Sequence, residues 1–295
     1  MRSLDLDYLK TFVMVIEHGS FSAAAERLDL SQPAVSLQIR QLEKRLGVPL
    51  IERVGRKARP TAAGAELLAH AGPIEAAVSS ALEAVARHAS GTLGRVRLGT
   101  GATACIFLLP PVLKKLRRKH PDLDITVSTG NTADIVKAVG ENTLDLGLVT
   151  MPVSGRIFEI IPVLDDEFVV IAPPGMELPK RITPSALAAL PVLLFEPGGN
   201  TRRIADAWFA RGGAALKPIM SLGSVEAIKE LVGAGLGCAV LPSMAVRRPA
   251  NRGTLAVRSL SPQLHRTLAI VMRRDKRLHR GLGETLRALQ ELTGG

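Results

Sequence analysis

From Leu6 onward the apolar residues Leu9, Phe12, Val13 and Ile16 recur at helical spacing, and His18-Gly19 closes that helix. Ser20 precedes a second short helix over 21–28, with Phe21, Ala24, Ala25 and Leu28 on one face. Asp29-Leu30-Ser31 makes a tight turn, after which Ser31 is placed to cap a third helix opened by Gln32 and Pro33. In that helix Val35, Ile39, Leu42 and Leu46 follow core spacing, and Gly47-Val48-Pro49-Leu50 ends it. Residues 51–60 read as a two-stranded ribbon. An alanine-rich helix follows over 62–89, with Ile74, Val78, Leu82 and Val85 spaced three or four apart. That stripe fits either the seam of an antiparallel helix pair or a helix lying on its own domain. Gly72-Pro73 interrupts it and predicts a kink or break.

Beyond the boundary at 90–94 the period changes, and short strands alternate with helices. Strands are expected at 95–100, 124–129, 145–149, 168–172, 192–195, 238–241 and 267–272. Helices are expected at 106–119, 132–140, 201–211 and 224–234, with a last one ending at Leu292. Alternation of this kind makes α/β domains with parallel sheets, whose ligands sit at the carboxyl ends of strands.

With its core positions fixed, the third helix has an opposite face carrying Pro33, Ser36, Leu37, Arg40 and Lys44, flanked by Gln32 and Gln41. Short polar groups near its start suit base edges, and cations further along suit phosphates. Two helices joined by a three-residue turn, the second presenting such a face, form a helix-turn-helix. Arg53, Arg56, Lys57 and Arg59 on the ribbon suit a minor groove or its flanking phosphates. Gln32, Pro33, Ser36 and Leu37 are assigned to base reading, Arg40 and Lys44 to phosphate or base edges, and Arg53, Arg56 and Lys57 to the ribbon anchor. Ser22, Ser31, Gln38 and Gln41 complete the candidate DNA-contacting set.

Composition supports a polyanionic partner without proving one. The formal net charge is +11, while aromatics are only 3%, too few for the stacking platforms of single-strand binders. Cys105 and Cys238 stand far apart without a CxxC, so no zinc site or disulfide framework is expected and both are read as buried thiols. The N-terminus lacks the apolar core of a secretory signal and no run reaches the length of a membrane helix, so a cytoplasmic protein is expected. Gly99-Thr100-Gly101-Ala102-Thr103-Ala104 superficially matches a dinucleotide fingerprint, but the next strand ends in Ser128-Thr129-Gly130-Asn131 with no acid to hold a ribose. The histidines at 18, 70, 88, 120, 265 and 279 are scattered and are read as solvated. No acid–base constellation emerges, so neither an enzyme nor a cofactor or metal is expected.

The run Phe12…Gly19-Ser20-Phe21…Ala24-Ala25…Leu28…Ser31-Gln32-Pro33-Ala34-Val35-Ser36…Ile39…Leu42-Glu43…Leu46-Gly47…Leu50…Arg53…Thr61…Gly64 resembles the N-terminal signature of LysR-type transcriptional regulators nearly position for position. Leu37 departs from it, standing where many members carry a polar or basic residue, and so offers contact to a thymine methyl. Ile51 replaces the usual phenylalanine before Glu-Arg, which should repack the base of the wing without abolishing it. Further on, Leu108-Leu109-Pro110, Gly130-Asn131, Leu144-Asp145-Leu146-Gly147, and Gly233-Ala234-Gly235-Leu236-Gly237 running into Leu241-Pro242 look like the effector domain of the same family.

The resemblance implies an α/β protein overall. Its parts are a winged helix-turn-helix over 1–61, a dimerising linker helix over 62–90, and an effector domain over 94–295 similar to type 2 periplasmic binding proteins. That domain divides into subdomain I (94–164 and 267–295) and subdomain II (165–266). An inducer, expected to be an anionic metabolite, would lie between them against Thr100, Gly101, Thr103, Asn131, Thr150, Asn200, Thr201 and Ser224. The implied partners are double-stranded promoter DNA, the inducer, further copies of the chain as dimer or tetramer, and RNA polymerase. A transport solute-binding protein would explain only the C-terminal part, and a sequence-indifferent DNA binder would not need a sensor of two hundred residues.

Overall fold

A computed structural model describes residues 4–54, 57–90, 93–247 and 254–294, in two compact units spanning Met1–Leu82 and Glu83–Gly295. In the first, α1 (Leu6–His18) starts where the Asp5 carboxylate accepts from the Asp7 and Tyr8 N–H groups, and ends at Gly19 in the left-handed region. The Ser20 hydroxyl caps α2 (Phe21–Leu28) and that of Ser31 caps α3 (Gln32–Leu46). Leu9, Phe12, Val15, Ala24, Ala25, Val35, Ile39 and Leu42 meet in one core; of the residues expected at helical spacing, Val13, Ile16, Phe21, Leu28 and Leu46 are only half-buried, and Val15 is buried in addition.

The α1–α3 contact is also polar, and it is periodic. Asp5 at the N-cap of α1 and Tyr8 and Thr11 within it, three apart, pair with Arg45, Gln41 and Gln38 on α3. Arg45 Nη1 lies 3.3 Å from Asp5 Oδ2, Tyr8 Oη donates to Gln41 Oε1 at 2.5 Å, and Thr11 Oγ1 donates to Gln38 Oε1 at 2.6 Å. Apolar packing alone tolerates sliding, whereas these directional pairs fix the rotation of α3 about its axis.

Strands β1 (Ile51–Val54) and β2 (Lys57–Pro60) form the expected antiparallel ribbon, with Ile51 opposite Pro60 and half-buried against the core. Glu43 Oε1 accepts from the N–H groups of Leu50 and Ile51 at 2.8 and 3.2 Å, tying the ribbon to α3. Helix α4 (Ala62–Ser90) is continuous through Pro73, so the break expected there does not occur. Gly72 has no Cβ to clash with the proline ring, and Ala71 and Ile74 on either side pack into the core, so the loss is confined to one backbone bond. Ala63, Leu67, Leu68 and Ile74 lie on the first unit, whereas Leu82 and Val85 are 67% and 70% exposed. The stripe is thus divided between packing on its own unit and standing free.

The second unit is built on a nine-stranded sheet. Its elements are β3 (Arg95–Thr100), α5 (Ala102–Phe107), α6 (Leu109–Lys119), β4 (Asp124–Thr129), α7 (Thr132–Gly140), β5 (Leu146–Thr150), β6 (Phe158–Ala172), α8 (Pro184–Ala188), β7 (Val192–Phe195), α9 (Asn200–Arg211), β8 (Met220–Leu222), α10 (Val225–Gly233), β9 (Cys238–Pro242), β10 (Ala256–Ser259), β11 (His265–Arg273) and α11 (Arg280–Gln290). The order is β4-β3-β5-β11-β6-β9-β7-β8, with β10 also on β6. The sheet is mixed rather than parallel. Pairs β3–β4, β3–β5, β7–β8 and β7–β9 are parallel, but β11 runs antiparallel to β5 and β6, and β6 antiparallel to β9 and β10. The cause is β6, which is ten residues longer at its start than the strand expected at 168–172. It pairs with β11 through Glu167, then with β9 from Phe168. The helix expected at 106–119 is two, because Pro110 and Pro111 supply no N–H to continue α5 and instead sit in the first turns of α6.

One core gathers Val96, Leu98, Leu109, Leu146, Leu148, Ile270 and Leu282 on the β3–β5 side, and another gathers Phe168, Val170, Leu194, Trp208 and Phe209 on the β7–β9 side. Two histidines depart from the solvated reading. His120 is 9% exposed, with Nε2 3.1 Å from Glu284 Oε2, and the ring of His279 caps α11. Cys238 is buried, which pushes its thiol up to about 11, but Cys105 is only half-buried.

Asp145 closes the start of β5. Burial pushes its carboxyl up, but hydrogen bonds from Arg97 and Lys276, at 3.0 and 2.6 Å, outweigh that and hold it below the usual 3.8. A depressed carboxylate stabilises the fold above its unfolded value, and that stability is lost as the pH falls through the folded one. Asp145→Asn should cost about 3 kcal/mol at pH 7, read by urea unfolding through Trp208 fluorescence, and the gap from the parent should close as the pH drops below 3.8. Tyr8→Phe should cost about 1 kcal/mol, read as faster amide exchange in α1 and α3; unchanged exchange would show that the ladder adds nothing to packing.

Candidate functional site

Two surfaces carry uncommitted chemistry, one on each unit. On α3, Ser31, Gln32, Pro33, Leu37, Arg40 and Lys44 are exposed, with Leu37 53% so. Ser36 is half-buried among them, accepting from Gln32 Nε2 at 2.9 Å, while Arg40 Nε reaches back to the Ser36 carbonyl at 3.4 Å. The resulting strip of amide, hydroxyl, apolar and cationic groups lies opposite the buried Val35, Ile39 and Leu42. Gln38 and Gln41 are different: their amide oxygens are engaged by Thr11 and Tyr8, which makes them holders of the helix. Ser22 is exposed on α2, and on the ribbon Lys57 is exposed while the Arg53 guanidinium lies 5.9 Å from the Phe21 ring. Arg56 lies outside the described residues.

On the second unit a cleft of about 380 Å³ opens where the loops after β3, β4 and β5 face those after β7 and β8. Of the residues assigned to effector binding, Gly101, Thr103, Asn131, Thr150, Asn200 and Thr201 line it. Thr100 does not; it is fully buried and its hydroxyl donates to the Leu148 carbonyl at 2.8 Å, holding β3 to β5. Ser224 is also outside the lining, with its hydroxyl capping α10, although the preceding Gly223 reaches the cleft.

The lining residues differ in what they have left to offer. Asn200 is saturated: its Nδ2 donates to the carbonyls of Thr150 and Pro152 at 2.6 and 3.2 Å, and its Oδ1 accepts from Arg203. Thr201 Oγ1 accepts from Arg266 at 3.1 Å. Thr103 is 9% exposed and its hydroxyl has no hydrogen-bond partner among the described residues. Sequence reasoning missed Glu196, Thr129, Thr132 and Arg266, which also line the cleft. Glu196 follows a strand directly, so its position in the Glu196-Pro197-Gly198-Gly199 loop was a usable signal. Arg266 sits within β11, where nothing in its neighbours marks it.

Among the described residues no helix is long and apolar enough to cross a membrane. Residues 6–65 match the bacterial regulatory helix-turn-helix proteins of the lysR family, and residues 89–294 match the LysR substrate binding domain. The transcriptional regulator CbbR of Xanthobacter flavus is 36% identical over 279 residues, covering 92% of this chain and 83% of that protein. The transcriptional activator CmpR of Synechocystis is 32% identical, covering 87% of this chain and 85% of its own length. Among solved structures, the LysR family regulator CbnR superposes with a TM-score of 0.77 over 99% of this chain and all of its own at 21% identity, a likeness of fold alone. Corynebacterium glutamicum OxyR gives a TM-score of 0.62 at 27% identity, over 98% of this chain and 92% of its own. With a helix-turn-helix in one unit, an effector-type α/β fold in the other, and relatives along nearly its whole length, the chain belongs to the LysR family of bacterial transcriptional regulators.

Proposed function

We propose that residues 1–61 read a specific operator, that 62–90 pair with a second copy of the chain, and that 94–295 sense a small molecule carrying an anionic group. The observation that carries this reading is the exposed strip on α3, whose Gln32, Ser36, Leu37, Arg40 and Lys44 lie away from the core while a separate set of residues fixes the helix. Gln32, Pro33, Ser36 and Leu37 meet base edges, Arg40 and Lys44 meet phosphates or base edges, and Arg53, Arg56 and Lys57 follow the backbone beside the wing. Ser22 and Ser31 supply further phosphate contacts. Leu82 and Val85, apolar and exposed on α4, suit a seam with a second copy. The protein works in the cytoplasm, and RNA polymerase is its remaining partner.

The effector binds the cleft of the second unit against Gly101, Thr103, Asn131, Thr150 and Thr201. Thr100 and Ser224 stand behind the cleft and Asn200 forms part of its wall; none is assigned a ligand contact, since their side chains already hold structural bonds.

The test is selection of genomic fragments by the full-length protein at physiological salt with competitor DNA. Enrichment of a few fragments carrying an interrupted palindrome, by ~10³-fold or more over bulk DNA, is the expected result. Uniform, steeply salt-dependent binding would overturn it. On the selected site Arg40→Ala should cost about 1–3 kcal/mol, measured by competition titration; an equal loss on random DNA would reduce Arg40 to a phosphate clamp. An effector must bind free and operator-bound protein with different affinities, because coupling is reciprocal. Equal affinities by titration calorimetry would exclude a sensing role for the cleft.

A further inference from the structure

The charges lining the cleft are unequally answered within the protein. Arg266 gives Nε to Asp166 Oδ2 and Nη1 to Thr201 Oγ1, both at 3.1 Å, and its ion pair with Asp166 is almost wholly buried. Arg202 gives Nε to Asp206 at 2.8 Å and Nη1 to the Phe195 carbonyl at 2.5 Å. Arg266 is spent within the protein, while Arg202, held at Nε and Nη1, keeps its Nη2 unbonded among the described residues. Glu196 has no such answer, for among the described residues its carboxylate makes neither a hydrogen bond nor an ion pair. Glu196 is exposed, and its Oε1 lies 2.9 Å from where a Cβ on Gly223 would stand, so the carboxylate sits beside bare backbone between β8 and α10.

The far end of the same β7–α9 loop is unspent in the opposite sense. Helix α9 begins with Gly199 as its N-cap, so no side chain closes its first turn and its positive end is open to the cleft. Gly198 and Gly199 add no bulk, as a Cβ at either would meet nothing within 4 Å. Thr103, a residue 9% exposed, lines the same space, and its hydroxyl has no partner among the described residues.

A ligand that is only an anion would satisfy α9 and Thr103 but would meet the Glu196 carboxylate. A cation alone would satisfy Glu196 and leave the donors empty. We propose that the cleft takes a zwitterion of the amino-acid class, with its ammonium on Glu196 and its carboxylate on the first turn of α9 and the Thr103 hydroxyl. The cleft, about 380 Å³, is at the small end of ligand pockets and fits a molecule of that size. This inference rests on the effector-cleft reading and adds the chemical class.

The test is calorimetric titration of the full-length protein with the twenty L-amino acids, their 2-hydroxy-acid analogues, dicarboxylates and sugar phosphates. At least one amino acid should bind, and its 2-hydroxy analogue should bind about tenfold more weakly or worse, as expected for loss of one charged hydrogen bond. Glu196→Gln should weaken the amino acid by a similar factor and leave the 2-hydroxy acid unchanged, whereas Thr103→Val should weaken both. Trp208 fluorescence on heating checks that both variants keep the parental fold. Binding of no amino acid, tighter binding of the acids lacking an ammonium, or an amino acid indifferent to Glu196→Gln would each overturn the inference. A dicarboxylate or phosphate lost in Thr103→Val but unaffected by Glu196→Gln would overturn the zwitterion and keep the effector cleft. Binding untouched by either variant would overturn the cleft as well.

Discussion

The second unit turns on an ion pair buried between its two longest strands. Asp166 on β6 and Arg266 on β11 are register partners, 2% and 4% exposed, and taking both charges out of water costs several kcal/mol per ion. Burial pulls the Arg266 guanidinium down, and the attraction of Asp166 opposes that pull. The remaining polar valences are met as well. Asp166 Oδ1 accepts from the Ser243 hydroxyl and the Met244 N–H at 3.0 and 3.1 Å, and Arg266 reaches Thr201 at the start of α9. A hydrophobic pair could fill the same volume, but it would not orient four segments at once. The strand crossing, the turn after β9 and the first residues of α9 are therefore set by one network, and the cleft wall inherits its position from it.

The first unit solves a related problem with weaker bonds. A helix whose outward strip must face a partner cannot be free to roll on its core. The Asp5–Arg45, Tyr8–Gln41 and Thr11–Gln38 contacts supply that restraint, with the Arg45 guanidinium also 5.2 Å from the Tyr8 ring. Each is worth little alone. Their value is geometric, since three pairs spaced three or four residues apart share a single register.

Much of this was legible in the residues. The spacing of Val35, Ile39 and Leu42 defines the core face of α3, Ser31 and Gly47 mark its ends, and Ser20 marks the start of α2, because capping is local chemistry. Strands β3 and β4 were equally plain as alternating polar and apolar residues, and β7 as a short apolar run. What stayed hidden depends on contacts distant in sequence. The early part of β6 contains Pro162 and the acidic run Asp165-Asp166-Glu167, which looks like a loop until Arg266 is brought beside Asp166. The roles of Gln38 and Gln41 likewise require α1, about thirty residues away. Thr100 and Thr103 read alike, three residues apart, and only burial with a bonded hydroxyl separates the first from the second.

Asn200 joins both sides of the cleft with a single side chain. Its amide nitrogen holds the Thr150 and Pro152 carbonyls on the β5 side, while its backbone opens α9 on the other. It has no spare donor, so a molecule that recruits this amide must first release a bond across the gap, and its observed affinity is the difference of the two. A molecule that leaves Asn200 alone enters a gap already sewn to a set width. The same stitch thus acts as a filter by size, favouring guests that fit the existing spacing over those that must pry it apart.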